Sequence, residues 1–383
     1  MSAGTLGWPT LLLGFLLLIA PGCREVERPD ILDASWAGYR ARFIEADGRV
    51  VRPEHDHNTV SEGQAYALLR AAWMDDQPTF DRVWRWTRQH LYGAAATPPG
   101  LMAWRWSPAT GIADPQAATD ADLDLALALL EAAGRWERPT DDAAPPYAEA
   151  ARGALQSILS AALVTDDNGR HLLLPGAWAD QRRDGRGVVL NPSYLAPAWY
   201  RAFHHATGDA RWLDLVDDAY LVLDAVTTPR SPHAPDWVRW WSSGRWVPEG
   251  DDPRSGWDAV RIPWRIATDA LWFAEPRASR WMEQTLGPVI RARLDAGAPL
   301  PVEWSLAGQP LGTEDHPLSL SLFWFAATRD DRDRLIERLE PRLLWDGDYA
   351  FFGEPDRYYV NSLAYLPYLA RAGRYRAPRP SRP

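Results

Sequence analysis

Three acidic positions have the residue type and setting for proton-transfer chemistry. Glu62 lies in Asn58-Thr59-Val60-Ser61-Glu62-Gly63-Gln64-Ala65-Tyr66, Asp120 in Ala118-Thr119-Asp120-Ala121-Asp122-Leu123-Asp124, and Asp258 in Gly256-Trp257-Asp258-Ala259-Val260-Arg261. Each falls at the predicted start of a helix, beside aromatic-rich sequence. Each also has a purely structural explanation. Thr59-x-x-Glu62 has capping-box spacing, with the glutamate bonding back to the cap. Asp120 would satisfy free N–H groups and meet the positive end of a helix dipole. Arg261, one helical turn after Asp258, would pair with it. Capping alone does not need three aspartates leading into an apolar helix. Asp120 and Asp124 share a helix face, so their charges repel unless something between them is served. Taken together, carboxylates across an aromatic-lined groove are the apparatus of glycoside hydrolysis: one protonates the leaving oxygen, the other activates water or attacks the sugar.

The elements that must position these groups are helical. Apolar periodicity and turn punctuation predict helices near 31–45, 61–74, 78–91, 120–134, 147–163, 193–206, 209–227, 258–273, 277–295, 316–328, 330–340 and 357–371. Short polar turns join many of them in pairs, and longer irregular stretches separate other neighbours. That alternation suits a ring of six helical hairpins. Leu123 to Ala133 is apolar nearly all round, which places that helix on the inner ring. Segments 95–117, 164–192 and 230–257 are rich in Gly, Pro and Trp and read as loops and short strands shaping one face. No low-complexity linker divides the chain, so residues 23–371 form a single catalytic-sized domain. The Arg/Pro-rich tail, 372–383, reads as disordered.

Composition narrows the classes further. With 41 basic and 51 acidic residues among 383, the net charge is −10, which disfavours nucleic acid and anionic membranes as partners. No lysine occurs anywhere, so Schiff-base and P-loop chemistry are excluded. The 22 Trp, beside 13 Tyr and 9 Phe, suggest a long aromatic-lined binding surface, with ordinary core filling as the competing reading. Leu11 to Ala20 is an apolar run too short to span a bilayer, and residues 1–22 read as a signal peptide, although positions 1–10 carry no Lys or Arg. Cys23, the single cysteine, follows Pro21-Gly22 as in a lipoprotein signal, making it a candidate lipid anchor and excluding intrachain disulfides and Cys-based zinc sites. Export, whether to the periplasm, to the outer membrane as a lipoprotein or into the medium, is the expected location.

Four stretches carry a family resemblance: Thr59 to Tyr66, ATDADLDLALALLEAAGRW from Ala118 to Trp136, Asn191-Pro192-Ser193-Tyr194, and Trp257 to Pro263. They are similar to glycoside hydrolase family 8, from about residue 31 to 371, and within it to the secreted cellulase that accompanies bacterial cellulose synthase. The resemblance implies an all-α (α/α)6 barrel and an inverting endo-β-1,4-glucanase acting on β-glucan without a cofactor or metal. It implies Glu62 as general acid, Asp258 as general base, and Asp120 as the holder of the water and the distorted sugar. Arg261 would keep Asp258 ionised. Trp104 matches a sugar-stacking tryptophan, and Tyr194, Tyr358 and Tyr359 match tyrosines lining the cleavage site. Trp178 and Trp241 are further groove candidates on composition. Inversion requires the Glu62 and Asp258 carboxyls to stand roughly 6.5–9.5 Å apart, leaving room for water. The expected form is a monomer, and the resemblance to that subgroup implies that it works beside a cellulose synthase complex.

Other signals carry less. Glu54-His55-Asp56-His57 is a dense ligand-type cluster, but consecutive residues rarely converge on one ion, so it reads as a polar approach loop. His204 and His205 point about 100° apart on a helix. No G-x-S-x-G elbow or dinucleotide-binding glycine motif occurs. The alternatives left open are a chitosanase, lichenase or xylanase of the same family, a non-catalytic glucan-binding lipoprotein, and a polysaccharide lyase on a similar barrel.

Overall fold

The computed structural model describes residues 29–92, 100–136, 138–141 and 144–379, with Met1 and Gly4. The expected leader and Cys23 lie outside the described residues. Helices run in chain order as α1 (Ile31–Phe43), α2 (Ser61–Trp73), α3 (Gln77–His90), α4 (Thr119–Trp136), α5 (Tyr147–Ala161), α6 (Pro197–Thr207), α7 (Arg211–Val226) and α8 (Ile262–Phe273). They continue as α9 (Pro276–Gln284), α10 (Leu286–Asp295), α11 (Pro317–Phe323), α12 (Arg329–Leu339), α13 (Tyr358–Leu363) and α14 (Leu366–Arg371).

Two concentric rings result. Helices α2, α4, α6, α8, α11 and α13 each touch the next, and α13 closes back on α2. Helix α3 packs outside α2, α5 outside α4, α7 outside α6, α9 outside α8 and α12 outside α11, while α1 lies against α13. This is the (α/α)6 barrel. Burial explains the division. Nearly all of α2 and α4 is buried, including every residue from Thr119 to Leu129, whereas α3 and α9 bury one face only.

Proline accounts for most departures from the predicted boundaries. The predicted helix 277–295 is two helices: Pro288 lacks the N–H that would bond back across the break at Thr285, where φ is −116° and ψ −91°. Gly287 is needed there, because a Cβ would stand 2.7 Å from the Met282 carbonyl oxygen. Pro367 in the first turn of α14 likewise splits the predicted helix 357–371. Pro197, Pro263 and Pro317 fix the first turns of α6, α8 and α11, so these helices start later than the apolar pattern suggests. Asp258 therefore precedes a 3-10 turn, Ala259–Arg261, rather than opening a helix.

Short antiparallel strands decorate the face where inner helices begin. Arg105–Ser107 pairs with both Thr59–Val60 and Gly111–Asp114. Val238–Trp240 pairs with Val188–Leu190 and Trp246–Pro248, and Arg254–Ser255 with Trp304–Ser305.

Two expectations are corrected. The tail is ordered at Tyr375, which is buried, accepts a hydrogen bond from Trp264 Nε1 at 2.6 Å, and packs against Trp73, Trp272 and Phe325. Residues 380–383 lie outside the described residues. The tryptophan excess serves the core more than a groove. Eleven tryptophans are buried, while among the described residues only Trp178 and Trp257 are exposed. Wide rings of helices leave large gaps to fill, and some of the indole N–H groups find internal partners, as in Trp199 to Asp124 and Trp281 to Thr227.

Candidate active site

The site forms where the inner helices present their N-terminal ends. Glu62 is in the first turn of α2 and Asp120 in that of α4, so both carboxyls meet the positive end of a helix dipole. Ser193 and Tyr194 sit just before α6, Asp258 and Arg261 just before α8, and Tyr358 opens α13. Five separate chain segments thus converge.

The capping-box reading of Glu62 is overturned. Val60 is the N-cap residue and makes no side-chain cap bond, while the Thr59 hydroxyl donates to the Val50 carbonyl at 2.7 Å. Glu62 points inward instead. Its Oε2 accepts from Arg261 Nη1 at 3.0 Å and its Oε1 from the Tyr358 hydroxyl at 3.2 Å. Asp120 Oδ1 accepts the Ala121 N–H at 2.9 Å, as the capping reading has it, and Oδ2 accepts Arg261 Nη1 at 2.7 Å.

Arg261 is the hub. It is fully enclosed, and its Nη2 donates to Asp258 Oδ1 and to the Ser193 hydroxyl, each at 2.7 Å. Nη1 also donates to the Tyr66 hydroxyl at 3.2 Å. Ser193 is held in turn by Asn191, whose side-chain oxygen accepts both its N–H and its hydroxyl. The arginine therefore serves three carboxylates rather than Asp258 alone. Glu62 binds one terminal nitrogen and Asp258 the other, which seats the two carboxyls on different edges of one planar cation.

One positive charge against three acids sets the protonation. Burial, reinforced by the charges of Asp120 and Asp258, pushes Glu62 up to about 7 despite the opposing Arg261 and the Tyr358 hydrogen bond. Asp120 is also raised, by burial before anything else. A proton kept on Glu62 avoids three like charges around one guanidinium.

Glu62 and Asp258 open onto a cavity of about 680 Å3, walled also by Trp257, Tyr358, Tyr359, Glu54 and Arg357 among others. The size suits a ligand larger than one sugar ring. Tyr359 donates to the Trp257 carbonyl at 2.9 Å. The His55 side of the dense acid–histidine cluster also borders this cavity, together with Glu54, while Asp56 and His57 are exposed. On the other side of Asp258 runs an aromatic row. The Tyr194 ring lies edge-on to Trp237 at 6.1 Å, and Trp237 leans on the exposed Trp178 at 5.7 Å. Trp104 is half-buried and tied to the start of α2, its carbonyl accepting the Ser61 N–H at 2.9 Å.

Trp241 is not brought to this site. It borders a separate cavity of about 250 Å3 with Trp240, Asp167 and Arg182, and the Arg245 guanidinium covers one face of its ring at 3.8 Å. Tyr358 walls the cavity from a largely buried position, its hydroxyl donating to Glu62. The sequence reading missed Tyr66, Ser193, Trp237 and Trp257 as site residues. Trp257 adjoins Asp258 and its aromaticity was a usable signal. Trp237 had none, since its partner Asp258 is 21 positions away.

Behind this layer lies a second rung. Asp124 and Arg265, each four residues on, form a bidentate pair at 2.5 and 2.6 Å, with Trp199 Nε1 adding 2.8 Å to Asp124 Oδ1. The repulsion expected between Asp120 and Asp124 is thus relieved by one arginine for each.

The model of glycosyl hydrolases family 8 matches residues 26–285. An endoglucanase of Cellulomonas uda is 32% identical over 315 residues, covering 80% of both chains. Endoglucanase A of Acetivibrio thermocellus is 33% identical over 260 residues, 65% of this chain, which spans 50% of that longer relative. Among solved structures, the endo-beta-1,4-glucanase CMCax of Acetobacter xylinum aligns with a TM-score of 0.71 at 26% identity, over 90% of this chain and 99% of the other.

Proposed function

Since this chain belongs to glycosyl hydrolases family 8, we propose that it is an endo-β-1,4-glucanase that cleaves with inversion. The observation that carries the reading is the three-carboxylate cluster on Arg261, in which Glu62 keeps its proton to about pH 7. Glu62 donates that proton to the glycosidic oxygen as the bond breaks. Asp258, on the far edge of the guanidinium, takes a proton from a water that attacks the anomeric carbon from the opposite face. Asp120 adds negative charge beside the sugar as positive charge develops on it, and with Arg261 it fixes where both acids stand. Tyr194, Trp237 and Trp178 supply a stacking surface on one side, Trp257 and Tyr359 on the other. Burial holds the proton on Glu62, while Arg261 Nη2 pairs with the Asp258 carboxylate.

Incubation of the protein with carboxymethyl cellulose, chitosan and xylan, following the products by NMR, tests this. Cleavage of the cellulose derivative with α-anomers appearing first is expected. First-formed β-anomers would remove inversion, preferred cleavage of chitosan or xylan would reassign the substrate, and no product from any glycan would remove the enzyme reading. Export is part of the proposal, on the leader-like run Leu11 to Ala20. A lipid on Cys23 is its finer form, read by palmitate labelling of the native chain and lost in Cys23→Ser.

A further inference from the structure

The loop that carries Asp258 is gripped at three points by two consecutive residues. Asp236 Oδ1 accepts the N–H of Gly256 at 2.8 Å and the N–H of Ala259 at 2.7 Å, so one oxygen brackets Asp258 on both sides in sequence. The next residue, Trp237, donates its indole N–H to Asp258 Oδ2 at 3.1 Å. Arg261 holds the other oxygen, so each oxygen of the carboxylate has its own donor.

The grip is itself anchored. The Asp236 N–H donates to the Arg254 carbonyl at 2.9 Å, and the Trp237 carbonyl accepts the Glu249 N–H at 2.9 Å. A Cβ at Gly256 would stand 2.9 Å from Asp236 Oδ2, so a larger residue there would press on the gripping carboxyl. Burial pushes the Asp236 carboxyl up to about 6, yet it still accepts two backbone N–H groups, which is how a buried carboxyl is satisfied. Asp258 needs this support. It lies outside regular helix, and about a third of its side chain is exposed. A general base must face its water within a narrow range of distance and angle, and small misplacements lower the rate steeply.

We propose that Asp236 and Trp237 act together as the positioning residues of the general base, Asp236 setting the backbone around Asp258 and Trp237 setting the plane of its carboxylate. Because Trp237 also leans on Trp178 and Tyr194, the same indole links the aromatic row to the base. The inference rests on Asp258 being that base. It goes beyond that reading by assigning work to two residues that need not touch the scissile bond.

Initial-rate kinetics on a soluble β-1,4-glucan, with thermal melts, test it in Trp237→Phe, Asp236→Ala, Asp236→Asn and Asp258→Asn. Trp237→Phe is expected to lower kcat about 10- to 100-fold with KM within about twofold, since it removes one hydrogen bond to a charged acceptor. Asp236→Ala should lower kcat similarly, and Asp236→Asn should restore most of it, because an amide oxygen still accepts both N–H groups. A Trp237→Phe variant with raised KM and unchanged kcat would make Trp237 a sugar platform only and overturn its role. Asp236→Asn as slow as Asp236→Ala would overturn the bracket. If Asp236→Ala fails to fold, Trp237→Phe and Asp236→Asn still decide. Wild-type rates in Asp258→Asn would remove the base assignment beneath the inference, a result distinct from failure of the two positioning residues.

Discussion

The two rungs between α4 and α8 use the same residue types at the same spacing and do different work. Asp124 and Arg265 are one acid and one base, bidentate and both fully enclosed, with Trp199 closing the pair. Four residues toward the open face, Asp120 meets an arginine that must also serve Glu62 and Asp258. The deep rung is balanced in charge, and the shallow one carries two acids too many. In the balanced pair each charged group meets its opposite directly, and removing either partner would leave the other buried and uncompensated. An unbalanced cluster in the same low-dielectric setting resolves itself by keeping a proton, and here Glu62 keeps it. Stoichiometry, rather than residue type, separates the structural layer from the one proposed to be catalytic.

That contrast breaks most visibly by mutation of one acid in each layer. Glu62→Gln is expected to lower kcat on glucan by about 10²–10⁴-fold, the usual contribution of a general acid, with little change in melting temperature near pH 6. Asp124→Ala should instead cost about 3–5 kcal/mol of stability, because it leaves the Arg265 guanidinium buried without its anion. Denaturant unfolding and steady-state rates on both variants check the pair. If Glu62→Gln lost as much stability as Asp124→Ala, the shallow rung would be structural too and the comparison would fail.

A subtler change sharpens it. Asp120→Asn removes one of the excess charges that raise Glu62 and leaves Arg261 freer to oppose its protonation. Both effects lower the acidity range of Glu62. The basic limb of the kcat profile should therefore move toward lower pH, by about one unit. An unmoved limb would mean that Asp120 does not act on Glu62 through charge.

How much of this the sequence disclosed depends on where each partner sits. The apolar run from Leu123 announced an inner helix because no face of it was polar. The acids before it stood out because capping could not use them all. Their partners were visible as residues, Arg261 and Arg265 four apart, but the pairing crosses 141 positions and no local rule connects the two. Glu62 shows the opposite failure. Thr59 lies at the right spacing for a capping box, yet α2 starts so that Val60 occupies the cap position and the threonine hydroxyl turns to Val50. Its local pattern was legible and misleading. Trp237 and Asp236 carried no pattern at all, because an indole and a carboxyl grip a loop through tertiary geometry alone. The tryptophan count pointed toward a groove, whereas eleven of the 22 rings are buried in the core.

The smallest effect bears on what the unbalanced rung costs the fold. Glu62 titrates near 7 when folded and near 4.5 as an ordinary carboxyl, so the folded chain binds a proton that the unfolded chain has already released across that window. Stability conferred by the neutral form is complete below about pH 4.5 and is lost as the pH rises toward 7. The loss is of the order of 1–3 kcal/mol, with partial contact with solvent favouring the lower end. Glu62→Gln removes the titration, so its melting temperature should gain on that of the wild type between pH 5 and 8. The wild-type slope does not vanish in that variant, because Glu131, buried between Trp73 and Arg135, is also pushed up to about 7. Only the difference between the two melting curves isolates Glu62. A difference that stays flat with pH would show that the cluster does not store its proton on Glu62, and the asymmetry between the rungs would then need another bearer.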